Sequence, residues 1–405
     1  MKRFAGTGAL IAAAGAAICA TPACAQSSVT LYGIIDTGVV YQSSSTSLGS
    51  TSGGHSAVKL ATGIWAGDRI GFKGNEDLGG GNHALFVLES GYNGTTGGAQ
   101  FSGAMFGRQA FIGLANDKYG SLTLGRQYTP YYLLLSTYSP TTWLTGFFGA
   151  HPGDLDSLDT VFRANNTVMY TSPTLYGLKV SASYSLGGVP GSFNSGATWS
   201  AAALYQAGPA GIAVGFMRVN NSTPGGGPWG ANSTLTSGGQ VAISSATNGY
   251  ATNAAQQRVA VTAGYNFTQN LDLSLSYSNV QYIPGIHSLF TDQATFNTEG
   301  AVLHLRVAPA WDFAAGYSYT RATKSNGISD NASYSQFNLS EYYALSKRTG
   351  IYALQAYQRA NGKTLGTAGG SSIIAATASL GDGFNSTPAS GRSMFAAGLA
   401  IIHRF

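Results

Sequence analysis

The chain has 405 residues, of which only 9% are charged while 56 are Gly, 23 Tyr and 19 Phe; a soluble domain usually carries about a quarter of charged residues. A formal net charge of +5, without a basic run interleaved with aromatics, gives no case for nucleic acid, and the aromatic content argues against disorder. The mean hydropathy of +0.03 and the lack of a mature stretch of about twenty apolar residues leave strands as the only route into a membrane.

Lys2 and Arg3 precede a small apolar run from Ala9 to Ala20, and Ala23-Cys24-Ala25 stands before Gln26. This order predicts a secretory signal peptide over residues 1–25, cut between Ala25 and Gln26. The apolar run is short and Ala/Gly-dominated, unlike a membrane anchor, and Thr21 with Pro22 ahead of Cys24 does not suit lipid attachment. Cys19 and Cys24 both lie in the removed segment, so the mature chain has no thiol, and the loss of Lys2 and Arg3 lowers its charge to +3.

From residue 26 onward, alternation predicts one domain of sixteen strands. They fall near 29–43, 64–75, 82–94, 104–116, 121–129, 163–173, 177–188, 198–207, 211–222, 254–267, 271–283, 295–308, 311–324, 333–346, 350–362 and 391–405. Leu271-Asp272-Leu273-Ser274-Leu275-Ser276-Tyr277-Ser278 is the clearest, apolar on odd numbers and polar on even ones. Eight or nine alternating residues are what a tilted strand needs to cross a bilayer, whereas sandwich strands are shorter.

The connections come in two kinds. Asp77–Gly81, Asn116–Gly120, Gly208–Ala210, Thr268–Asn270 and Ala308–Ala310 have the Gly, Pro, Asn and Asp chemistry of tight turns. Ser44–Gly63, Tyr128–Arg163, Thr223–Asn253 and Thr364–Ser390 are long and rich in Gly, Ser, Thr and Asn. Short turns at one end and long loops at the other are the build of an outer-membrane barrel; sixteen strands with both termini on the short-turn side need seven turns and eight loops. The chain ends with Phe395, Leu399, Ile401, His403 and Phe405 on one face. The Tyr128–Arg163 loop would be out of place in a compact soluble domain, but inside a barrel it has a lumen to narrow.

Several motifs carry a resemblance to a known family. They are Ser27-Ser28-Val29-Thr30-Leu31-Tyr32-Gly33, Arg69-Ile70-Gly71-Phe72-Lys73-Gly74-Asn75-Glu76-Asp77, Phe106-Gly107-Arg108-Gln109-Ala110-Phe111-Ile112-Gly113-Leu114, Leu122-Thr123-Leu124-Gly125-Arg126-Gln127-Tyr128, Asn165-Asn166-Thr167-Val168-Met169-Tyr170 and the terminal His403-Arg404-Phe405. Through them the chain resembles the general trimeric Gram-negative porins. The resemblance implies an all-β, sixteen-stranded antiparallel transmembrane β-barrel, a homotrimer in outer-membrane lipid. It also implies a third loop folded inward and passive diffusion of ions and small hydrophilic solutes, with no cofactor and no catalysis. A substrate-selective channel and an outer-membrane barrel enzyme or adhesin are the alternatives.

The candidate constriction sets Arg69, Arg108, Arg126 and Arg163 against Asp154, Asp156 and Asp159. Outward Ile70 and Phe72 put Arg69 and Lys73 inward, and outward Val168 and Tyr170 do the same for Arg163. Arg108 and Arg126 share the parity of apolar neighbours, so their inward placement rests on the resemblance and would need a bulge. Opposed basic and acidic walls would set ion preference, here mildly anionic; each Arg could equally be a wall residue paired with an acid. The aspartates could instead pin the loop to the wall. Their spacing lacks the glycine and terminal glutamate of a calcium loop. His304 and Arg306 have inward parity and are possible pore-lining residues. No histidine pair has ligand spacing, no Ser–His motif appears, and no Gly-rich stretch joins a strand to a helix.

Overall fold

The computed structural model describes residues 28–101, 103–159, 162–229, 244–366, 372–382 and 388–405; the signal-peptide segment and its Ala25–Gln26 junction lie outside them. The barrel strands are β1 (Ser28–Ser45), β2 (His55–Thr62), β3 (Arg69–Gly79), β4 (Asn82–Gly91), β5 (Gln109–Asn116), β6 (Gly120–Gln127), β7 (Ala164–Thr171), β8 (Leu178–Ser185), β9 (Thr198–Ala207), β10 (Ala210–Asn220), β11 (Ala255–Asn266), β12 (Leu271–Ile283), β13 (Ala294–Ala308), β14 (Trp311–Ala322), β15 (Ser333–Ala344) and β16 (Thr349–Asn361). After a small hairpin of β17 (Lys363–Leu365) and β18 (Ile373–Ala375), β19 (Ser393–Arg404) closes the sheet against β1, with Ile34 opposite Arg404 and Gln42 opposite Ala396. The barrel strands all pair antiparallel, and among the described residues the result is a closed sixteen-position barrel with no free edge.

Seventeen strand segments fill sixteen positions because the second strand is broken. The first half of β1 pairs with β3 and its second half with β2. Between them Gly63, at φ +64, starts a loop that two aspartates hold. Asp36 accepts the N–H groups of Trp65 (2.5 Å) and Ala66 (2.8 Å) and the Tyr352 hydroxyl, and Asp68 accepts the N–H groups of Asp36 (2.7 Å) and Gly94 (2.9 Å). Satisfying the backbone donors of a strand break in this way lets the chain leave the ladder and rejoin it. The expected strand over 64–75 therefore starts later, and His55–Thr62 is a strand and not part of a long loop.

The alternation places apolar side chains outside. Leu275 and Tyr277 are 49% and 43% exposed, while Ser276 and Ser278 beside them are buried. The interior is filled by loops. Tyr128–Arg163 turns inward as three short helical turns, α1 (Pro130–Leu135), α2 (Thr141–Leu144) and α3 (Gly146–Gly149), with Phe147, Phe148, Leu155 and Leu158 buried.

Its backbone carbonyls, which no strand satisfies, are taken up by inward side chains of the wall. Thr262 Oγ1 donates to the Leu135 carbonyl (2.9 Å), Ser340 Oγ to Trp143 (2.6 Å), and Gln336 Nε2 to Phe148 and Ala150 (3.0 Å each). Asn338 Nδ2 donates to Phe148 (2.7 Å) and Arg258 Nε to Leu155 (2.9 Å). Two wall glycines, Gly211 and Gly264, leave room for the Tyr138 ring, which a Cβ at either position would enter.

Two further loops also enter, which the reading of a single inward loop did not anticipate. The Gly153 N–H donates to the Gly381 carbonyl (2.8 Å), and Thr364 Oγ1 to Ala246 (3.1 Å). Ala378 and Leu380 pack with Phe147 and Phe148, while Ala246, Tyr250 and Ala376 pack with Leu155.

Candidate functional site

Beside the inward loop a cavity of about 360 Å³ remains, lined among others by Trp65, Arg69, Arg108, Tyr132, Asp159, Arg163, Asp382 and Arg404. Arg69 projects from the start of β3, where its Nε donates to the Gly67 carbonyl at 2.8 Å. Arg108 ends the loop that precedes β5, so the strand parity that would have turned it outward does not apply to it. Its Nε pairs with Glu89 at 2.8 Å, and its Nη2 donates to the Tyr128 hydroxyl at 2.9 Å.

Arg163 reaches the same hydroxyl from the far end of the loop, at 2.7 Å, and its guanidinium lies 4.7 Å from the Tyr128 ring centroid and 5.3 Å from that of Phe101. Tyr128 is thus the hub of the basic wall, one phenol oxygen receiving two guanidinium donors. Burial by itself would raise the Tyr128 phenol, but Arg108, Arg163 and Arg69 outweigh it and hold it below its ordinary value. Burial, reinforced by the neighbouring Arg108 and Arg69, pushes Arg163 down to about 10, which still leaves it charged at neutral pH.

The remaining candidates separate. β6 has an irregular register between Gly125 and Gln127, the bulge that Arg126 would need, yet Arg126 does not line the cavity. It donates to the Gly107 carbonyl (2.7 Å) and to Asn165, and stands 5.7 Å from the Phe101 ring, bracing the loop before β5. Among the three aspartates only Asp159 lines the cavity.

Asp156 is fully buried, in contact with His151 Nδ1 at 2.6 Å and accepting from Ser278 Oγ at 2.7 Å. Burial pushes its carboxyl up, but the charge and hydrogen bond of His151, with help from Ser278 and Arg258, hold it below the usual range. Asp154 accepts the Asp159 N–H at 3.0 Å, and burial together with Asp159 and Asp156 pushes it well up. Asp156 ties the loop to β12 and Asp154 braces it internally, so neither stands opposite the arginines as the facing-wall expectation had them.

Lys73 lies 5.5 Å from the Tyr32 ring. His304 is not an open lining group: it sits between Asp272 (Nδ1, 2.6 Å) and Asp312 (Nε2, 2.9 Å), stacked on Trp143 of the inward loop at 3.5 Å between ring centroids. Arg306 donates to the same Asp312 at 2.8 Å.

Of the cavity residues named above, Trp65, Tyr132, Asp382 and Arg404 escaped sequence reasoning. Arg404 was within reach, because it has the parity opposite to outward Ile401, His403 and Phe405 on β19. Trp65 in the strand break and Asp382 in the last long loop gave no signal, since long-range packing alone sets their positions. Around the cavity four arginines stand against two aspartates.

The profile of the Gram-negative porin family matches residues 9–363. An outer membrane porin protein of Bordetella pertussis is 38% identical over 184 residues, 44% of this chain and 47% of that protein, so the chain spans about half the length of the curated relatives it matches. Among solved structures, the anion-selective porin from Comamonas acidovorans superposes with a TM-score of 0.65 at 23% identity, covering 94% of this chain and 100% of that one. The trimer form of OmpT, an outer membrane protein of Vibrio cholerae, gives 0.62 at 16% identity, covering 94% and 99%. At these identities the superpositions speak to the fold.

Proposed function

The chain belongs to the Gram-negative porin family and is an outer-membrane β-barrel; from that premise we propose that it forms a water-filled channel for passive diffusion of ions and small hydrophilic solutes, with a mild preference for anions. The observation that carries this reading is the cavity beside the inward loop, where Arg69, Arg108, Arg163 and Arg404 outnumber Asp159 and Asp382. A narrow aqueous passage with excess positive charge lowers the energy of an anion within it and raises that of a cation. No step in such transport breaks a bond, so the function needs neither a catalytic residue nor a cofactor.

The same reading takes residues 1–25 as an export signal, residues 26–405 as one barrel domain, and the working unit as a homotrimer embedded in outer-membrane lipid. The constriction is formed by Arg69, Arg108, Arg163 and Arg404 facing Asp159 and Asp382. Arg126, Asp154 and Asp156 hold its frame.

Planar-bilayer recording of the refolded protein tests these points together. The expected result is insertion in three coupled conductance steps, with a reversal potential in a salt gradient of the sign given by anion flow. Protein that inserts without conducting would overturn the channel reading. Single uncoupled steps would overturn the trimer, and cation selectivity the charge argument.

A further inference from the structure

The outer surface of the barrel differs between its two rims. At the short-turn rim aromatic side chains gather on the outer face: Trp311 packs against Tyr343 at 4.6 Å and Phe313 at 5.8 Å, and Tyr265 against Phe267 at 5.0 Å, with Glu341 opposite Phe313 as a charged residue among them. This is the belt expected where hydrocarbon meets water. At the long-loop rim of β10–β14 the same outward parity turns polar.

There a ladder of side chains runs across four strands. Arg218 Nη1 donates to Gln257 (3.1 Å), Gln257 Nε2 to Gln281 (3.3 Å), Gln281 Nε2 to Asn279 (2.8 Å), and Asn279 Nδ2 to Asn297 (2.7 Å). On the next strand Arg321 stands directly opposite Asn297. Farther toward the middle of the barrel the outward residues are apolar, with Val214, Val259, Leu275 and Leu303 each more than 40% exposed, and on β13 the exposed Glu299 stands between Asn297 and this band.

A charge on the lipid face costs several kcal/mol at mid-bilayer and little near the interface, so this ladder marks the level of the lipid headgroups. Its amides satisfy one another. Arg321 is different: it is exposed and makes no side-chain hydrogen bond or ion pair among the described residues. It borders a recess of about 470 Å³ together with Lys324, Asn297, Asn331, Tyr319 and Glu299, the one acid of the group. An unengaged guanidinium beside an ammonium, with amide donors alongside, is suited to a phosphate whose remaining polar groups lie on the ladder.

We propose that this face binds the phosphorylated headgroup of an outer-leaflet lipid, with Arg321 and Lys324 as the phosphate donors and Asn297 and Asn331 as neighbouring polar contacts. A lipid is the occupant favoured by position, because the recess opens beside the apolar band that hydrocarbon must cover, and its charge complements an anionic headgroup.

The test is native mass spectrometry of the detergent-solubilised barrel titrated with bisphosphorylated lipid A, its dephosphorylated form and inorganic phosphate, for the wild type and for Arg321→Gln/Lys324→Gln. The wild type should hold bisphosphorylated lipid A, and the double variant about thirtyfold more weakly, the effect of losing two headgroup-level cations. Arg321→Lys should keep most of the affinity, heat-dependent gel mobility should show each variant folded, and planar-bilayer recording should show its conductance unaltered.

Equal binding by the double variant, or by dephosphorylated lipid, overturns the proposal. Inorganic phosphate binding as tightly as the lipid would make the ligand a free anion and overturn the lipid assignment. Cross-linking through residue 321 to a second copy of the chain in lipid vesicles would show the face to be a subunit contact and overturn it as well.

Discussion

Replacing Gln336 and Asn338 together by alanine tests whether the wall or the loop's own packing holds the constriction. These two side chains donate to the carbonyls of Phe148 and Ala150, at 3.0 Å from Gln336 to each and 2.7 Å from Asn338 to Phe148, and both are buried. Truncation leaves two carbonyls without their donors, and an orphaned buried group costs about 1–3 kcal/mol. Water entering the vacated space offsets part of that, which leaves about 2–3 kcal/mol for the pair. At about 1.4 kcal/mol per factor of ten, the detached state of the loop should become about 30- to 150-fold more populated. The β14–β15 and β15–β16 ladders are untouched, so the heat stability of the barrel should change little. The readouts are single-channel noise at fixed voltage and amide hydrogen exchange over residues 144–153. Quiet channels with unchanged exchange would refute the reasoning and assign the loop's position to the packing of Phe147 and Phe148.

Three other outcomes follow from the same geometry. Arg69→Glu with Arg163→Glu should move the reversal potential toward cations, because the charge excess around the cavity reverses; an unmoved potential would mean that ions pass elsewhere. Deleting Thr141–Asp154 should raise single-channel conductance, since this segment fills the lumen; unchanged conductance would place the limiting constriction at the two other inward loops. For Asp154 the direction of the shift sets the pH dependence: its folded value lies above the unfolded one because of burial, Asp159 and Asp156, so loop stability is fully present below the unfolded value and is lost as pH rises through the folded one. Asp154→Asn should abolish that loss and raise the protection factors of the loop amides at neutral pH, and equal protection factors at both pH extremes in the wild type would contradict it.

The barrel was largely legible because alternation is a local record of which face meets lipid. Leu271–Ser278 shows this most plainly, and the alternation of short turns with long loops supplied the strand count. The break between β2 and β3 was not legible. Val58-Lys59-Leu60 does alternate, but it is short and lies among Ser and Gly, and Asp36, Asp68 and Tyr352 come together only across the folded sheet.

The site was half legible for a related reason. Parity places Arg69, whereas Arg108 and Arg163 lie just outside their strands and Arg126 on a bulge, where parity has no meaning. The roles of Asp154, Asp156 and Asp159 depend on which wall residues they meet, His151 and Ser278 among them. The entry of the loops around Tyr250 and Leu380 is a matter of tertiary packing, for which low-complexity Gly and Ser sequence carries no periodic trace.

Gly211 and Gly264 bear on how such a channel can be re-engineered. Because Tyr138 occupies the space where their side chains would be, the shape of the loop is partly written into strands more than seventy residues away. The loop is therefore not an exchangeable cassette. Grafted into a relative with alanine or larger residues at those two positions, it would be turned away from the wall, and the chimera would acquire a different bore. Transplanting its permeation properties means moving the strand glycines and the donors at 262, 336, 338 and 340 along with it.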